Sequence, residues 1–128
     1  MPRVLIIDDQ KDVRAMIAMV LRVNRFEAVE AESGAAGLKA FAESAFDAAI
    51  VDIFLGDTNG ADVIASLRER APTLPVIAVS GITALDFMEQ SPHLANVACL
   101  QKPFRPNDLL QALQKAQAAA DGELPEPV

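Results

Sequence analysis

Residues 46–52 read Phe46-Asp47-Ala48-Ala49-Ile50-Val51-Asp52. After Asp47 the run is apolar without alternation, and it stops on an acid. A strand with one wet face alternates apolar and polar residues, whereas a strand covered on both faces does not. The segment therefore predicts a buried strand of a parallel sheet, ending at Asp52. Other stretches repeat the pattern: Asp8 and Asp9 follow Val4-Leu5-Ile6-Ile7, Ser80 follows Val76-Ile77-Ala78-Val79, and Lys102-Pro103-Phe104 comes soon after Val97-Ala98-Cys99-Leu100. If these runs are parallel neighbours, Asp8, Asp9, Asp52, Ser80 and Lys102 gather at the carboxyl edge of the sheet, where open α/β sheets place their sites.

Helical patterns separate the strands. Val13, Met16, Ile17, Val20 and Leu21 form an amphipathic stripe, with Asp9 or Asp12 as the expected N-cap. A strand near Phe26–Ala31 follows. A second helix starts near Ser33 and is expected to present Leu38, Phe41 and Ala42 on one side. Gly56–Gly60 is turn-rich, and a third helix over Ala61–Arg70 carries Ile64 and Leu67. Further helical stretches are read over Thr83–Gln90, ended by Pro92, and over Asn107–Ala119, with the fifth strand between them in Leu94–Leu100. Five strands alternating with five helices predict a parallel sheet with helices on both faces. Residues 1–120 read as one domain and 121–128, with two prolines and no apolar period, as a flexible C-terminal tail.

Composition narrows the function. The chain has 128 residues, 52% of them hydrophobic, which suits one domain with a real core. A net charge of −7 without a Lys/Arg cluster argues against a nucleic-acid partner. The single cysteine, Cys99, fits a reducing compartment, and the N-terminal apolar run is too short for a signal peptide or a membrane span. A cytoplasmic location is expected.

The edge residues suit one chemistry. Two like charges about 4 Å apart cost on the order of 4 kcal/mol at an effective dielectric of 20. A divalent cation removes that cost, and Mg2+ takes carboxylate, water and phosphate oxygens. Asp52 is then the candidate nucleophile for an acyl phosphate, Lys102 a point charge for a phosphoryl oxygen, and Ser80 a hydrogen-bond donor to it. Taken singly, each reads more simply: Asp8-Asp9 as a turn and cap, Asp52 as a strand-end residue, Ser80-Gly81 as turn chemistry. The combination carries the functional reading.

In order, spacing and strand context these motifs resemble the receiver domain of bacterial response regulators, over about Arg3–Ala119. The resemblance implies a flavodoxin-like (βα)5 three-layer sandwich with strand order 2-1-3-4-5. It also implies that Asp52 accepts a phosphoryl group from a phosphohistidine on a sensor histidine kinase or histidine phosphotransfer protein. Asp9, Asp52 and the backbone carbonyl of Phe54 would hold Mg2+, with Asp8 acting directly or through water. Lys102 would contact Asp52 at rest and the phosphoryl group afterwards, Ser80 would swing toward it, and the Lys102–Pro103 bond would be cis. The expected product is a stand-alone signalling module, monomeric or weakly dimeric. Its output would pass to a downstream protein target.

The chain departs from the family pattern in places. Cys99 stands where the switch aromatic is usual, three residues before Lys102. Gly56 replaces a common proline and should loosen its loop. Phe54 and Ile82, at positions that tune phosphoryl loss, cannot orient water by hydrogen bonding, so fast assisted hydrolysis is not expected. Rival readings are a phosphorylation-independent docking or dimerisation module, favoured by Cys99, an aspartate phosphatase, and a flavin-binding domain. The phosphatase would need an acid at Phe54 as proton donor. The flavin domain would need a phosphate cradle where Asp8-Asp9-Gln10 stands.

Overall fold

The computed structural model describes residues 1–81 and 97–120. Five strands form one parallel sheet: β1 (Arg3–Ile7), β2 (Glu27–Ala31), β3 (Ala48–Asp52), β4 (Val76–Ser80) and β5 (Val97–Gln101), in the order β2-β1-β3-β4-β5. Four described helices connect and cover them: α1 (Lys11–Val23), α2 (Gly34–Glu43), α3 (Gly60–Arg70) and α4 (Pro106–Ala120). This is the flavodoxin-like order that the resemblance implied. The helix read over Thr83–Gln90, the start of the fifth strand at Leu94 and the tail from Asp121 lie outside the described residues. Among the described residues no helix is long and apolar enough to cross a membrane.

The continuous apolar strands divide by parity. Val4 and Ile6 of β1, Ala48 and Ile50 of β3, and Ile77 and Val79 of β4 join a core with Ile17 and Leu21 of α1 and Leu109 and Leu113 of α4. Leu5 and Ile7, Ala49 and Val51, and Val76 and Ala78 join a second core with Ile64 and Leu67 of α3. Successive strand residues point to opposite faces, so a strand buried on both sides needs apolar residues throughout. β3 and β4 are buried at every position.

Two local expectations are corrected. The N-cap of α1 is Gln10, without a side-chain cap; neither Asp9 nor Asp12 serves. Asp12 lies inside the first turn, and it is Asp8 whose Oδ1 accepts a nearby backbone N–H, that of Gln10, at 2.8 Å. On α2 the buried positions are Gly34 and Gly37, whereas Leu38 and Ala42 are exposed and Phe41 is only half-buried. The helix lies so close to β1 that a Cβ at Gly37 would stand 2.6 Å from Ile7 Cγ1. Small residues form the packing face there, and a search for large apolar residues passes over it.

Candidate functional site

The strand ends deliver their polar residues to one place. Asp8, Asp52 and Lys102 stand two residues beyond Ile6, Ile50 and Leu100, all members of the α1/α4 core. The β1–β3 register pairs Ile7 with Val51, so the acids that follow emerge side by side. Carboxylate oxygens of Asp8, Asp9 and Asp52 lie within 4.8 Å of one another, Asp8 and Asp52 buried and Asp9 exposed.

Lys102 Nζ sits among them. It lies 3.2 Å from Asp52 Oδ2 and 3.4 Å from Asp8 Oδ2, and it donates to Gln10 Oε1 at 3.1 Å. Its side chain is only 23% exposed. The lysine therefore bridges two acids rather than contacting Asp52 alone, and Gln10 is a partner that sequence reasoning missed. Nothing in the sequence signals it, since the contact spans 92 residues. The Lys102–Pro103 peptide is cis, as the resemblance implied.

Each carboxylate has a distinct environment. Asp52 Oδ1 accepts the Phe54 N–H at 3.0 Å, which leaves Oδ2 to Lys102. Asp8 Oδ1 is taken by Gln10 N–H, but its buried Oδ2 has no hydrogen-bond donor among the described residues; Lys102 serves it only as an ion pair. Burial pushes the Asp8 carboxyl above its ordinary value, the Asp52 charge adds to this, and the Gln10 N–H and Lys102 oppose it. A buried acceptor without a donor, next to two more carboxylates, fits a hard cation with oxygen ligands.

The remaining predicted residues fall nearby. Ser80 ends β4 and is buried; its carbonyl accepts the Lys102 N–H at 2.8 Å. Phe54 is 59% exposed and is bridged to Asn59 across the loop between β3 and α3. Gly60, eight residues after Asp52, permits the turn into α3: a Cβ there would meet the Asp52 carbonyl oxygen and stand 2.6 Å from Ile53 Cα. Cys99 is half-buried against the α3-side core, and burial pushes its thiol up. Ile82 lies outside the described residues.

Comparisons with known proteins agree with this geometry. A family model described as the response regulator receiver domain matches residues 4–114. The transcriptional regulatory protein KdpE of Mycobacterium tuberculosis is 33% identical over 130 residues, covering 100% of this chain and 57% of that protein. The transcriptional regulatory protein PrrA of the same organism is 35% identical over 103 residues, covering 80% of this chain and 44% of that protein. The chain spans between 24% and 57% of the length of the first curated relatives it matches. Among solved structures, the chemotaxis protein CheY4 of Vibrio cholerae superposes with a TM-score of 0.85 at 24% identity, over 91% of this chain and 98% of that one. At that identity the likeness is one of fold.

Proposed function

The chain belongs to the response regulator receiver domain family, and from that premise we propose that it accepts a phosphoryl group on Asp52 from a phosphohistidine and signals through altered protein contacts. Receiver domains are signalling partners of histidine kinases rather than enzymes with turnover on a free substrate, and they bind Mg2+ at an acidic pocket. For this chain we propose Asp8, Asp9, Asp52 and the Phe54 carbonyl as the Mg2+ site. The observation that carries the reading is the meeting of three carboxylates from two strand ends, two of them paired with Lys102 Nζ.

The chain's own groups divide the work. A carboxylate oxygen of Asp52 forms the new O–P bond as the N–P bond of the donor histidine breaks, and the imidazole leaves with its electron pair. The Phe54 N–H orients the Asp52 carboxylate through Oδ1. Lys102, held beside it, balances charge on the phosphoryl oxygens once they arrive. Gln10 keeps that ammonium in place. The Ser80 hydroxyl donates to the phosphoryl group and draws the end of β4 with it. When bound, Mg2+ neutralises the acids and the incoming phosphoryl oxygens. With Phe54 two residues after Asp52, no side chain there can activate water, which favours a lasting phosphoryl mark over turnover.

On the same reading residues 1–120 form the receiver domain, and the protein works in the cytoplasm as a monomer or weak dimer. Its upstream partner is a sensor histidine kinase or histidine phosphotransfer protein. Cys99 in place of an aromatic favours one competing reading, a docking module that works without phosphorylation. Incubation with a small phosphoryl donor, with and without Mg2+, followed by intact-mass measurement separates the two. The expected result is a Mg2+-dependent adduct that Asp52→Ala abolishes. An adduct of unchanged yield in Asp52→Ala, or none in the wild type, overturns the proposal.

A further inference from the structure

The loop between β3 and α3 is also anchored on the start of α2, by a residue outside the acid cluster. Asp57 Oδ1 accepts the Gly34 N–H at 3.0 Å and Oδ2 accepts the Ala35 N–H at 3.1 Å. These are the first N–H groups of α2, which no helical carbonyl can serve. The next, Ala36 N–H, is already capped by Ser33 Oγ at 3.0 Å. Ser33 is the local cap that a helix start of this kind normally carries. Asp57 adds a second cap across 23 residues of chain, and only that one fixes where the loop lies.

Contacts on either side of Asp57 give the anchor its reach. A Cβ on Gly34 would collide with the Thr58 methyl, so the loop packs directly on the helix start. On the other side, a Cβ on Gly56 would lie 3.5 Å from Asp9 Oδ2, so the chain passes beside the exposed acid of the cluster. Three residues before Asp57, the Phe54 N–H holds Asp52 Oδ1. The loop thus joins the acids at one end and α2 at the other, and the clamp sets the distance between them.

We infer that Asp57 is a positioning residue for the cation-binding loop: by clamping the start of α2 it holds Phe54 and Gly56 beside Asp52 and Asp9, and so raises the affinity for Mg2+. The inference rests on the proposed Mg2+ site but concerns a residue outside it. The two N–H donors also hold the Asp57 carboxyl below its ordinary value, so the clamp is charged at neutral pH. Coupling between a clamp and a binding site is reciprocal. Mg2+ should therefore tighten the clamp, and the Gly34 and Ala35 amides should exchange hydrogen more slowly when it is bound.

The test is Mg2+ titration of the wild type, Asp57→Ala, Asp57→Asn and Ser33→Ala, followed by calorimetry and by amide shifts of Asp9 and Phe54. Asp57→Ala should weaken Mg2+ binding about five-fold, at the low end of typical site couplings. Asp57→Asn keeps one acceptor and should recover part of the loss, and it remains informative if the alanine variant does not fold. Ser33→Ala weakens the same helix start without touching the loop and should leave Mg2+ affinity unchanged. Equal losses in Asp57→Ala and Ser33→Ala would reduce Asp57 to a structural cap and overturn the inference. Wild-type affinity in both Asp57 variants would overturn it too, while leaving the Mg2+ site standing. Failure of the wild type to bind Mg2+ would overturn both together.

Discussion

Asp8→Asn should make the metal-free protein more stable. The Asp8 side chain is 1% exposed, and its Oδ2 has no hydrogen-bond donor among the described residues. Oxygens of Asp9 and Asp52 stand within 4.8 Å, and Lys102 Nζ stands at 3.4 Å. At an effective dielectric of about 20, the Asp52 charge at that range costs ~3.5 kcal/mol and the lysine returns ~5 kcal/mol. The largest penalty is burial of the charge itself, which outweighs that difference and the charge-assisted bond from Gln10 together. An amide keeps an acceptor for Gln10 and leaves Lys102 its contacts with Asp52 and Gln10. The expected gain is about 1–2 kcal/mol, or a Tm rise of about 3–8 °C for a domain of this size.

The pH dependence follows from the same group. Its folded value is raised above 3.8, so between 3.8 and that value the folded state holds a proton that the unfolded chain has already lost. Its contribution is therefore destabilising at neutral pH and is relieved as pH falls through the folded value toward 3.8. Asp8→Asn should remove that slope. Thermal unfolding followed by circular dichroism, in chelator and in Mg2+, from neutral pH down to about pH 4, reads both effects. Mg2+ should raise the wild-type Tm, since it binds only the folded state, and should raise the variant's by less. A lower Tm for the variant in chelator, with the wild-type pH slope intact, would refute the charge argument.

Lys102→Met should act in the opposite sense, costing about 1–3 kcal/mol in chelator because two buried acids lose their counter-charge; Mg2+ should restore part of the loss, which the same unfolding curves would report. Gly60→Ala should cost about 1–3 kcal/mol and lower the yield of phosphate adduct, because the new Cβ meets the backbone of Asp52 and Ile53 and the acceptor must shift. Intact mass and denaturant melts would check it, and a well-folded Gly60→Ala with full labelling would show that the turn has room to give.

The parts legible in the sequence are those fixed by burial. β3 and β4 are covered on both faces, and their unbroken apolar runs announce it. The acids and the lysine could be placed because each follows such a run directly or after one residue. What escaped the sequence depends on absence or on distance. The fully buried positions of α2 are glycines, which carry no hydrophobic signal although Gly37 admits Ile7. Gln10 and Asp57 act through partners 92 and 22–23 residues away, and a polar residue in a turn looks the same whether or not such a partner exists. The cap of α1 differs from the expectation because an acid beside a helix start suggests a cap, whereas a carboxylate oxygen of Asp9 joins the acid cluster and Asp12 lies within the first turn.

The parity of the strands has a consequence for how this protein tolerates change. Asp8, Asp52 and Lys102 continue the same alternating series as Ile6, Ile50 and Leu100. A one-residue insertion or deletion between Ala48 and Ile50 would put the two halves of β3 out of phase, so that Ala48 could no longer face α1 and α4 in the same register that aims Asp52 at the site. Chemistry and foldability are thus written in one reading frame. A frame error early in these strands therefore costs core packing as well as the acceptor, and the two losses should be detected together.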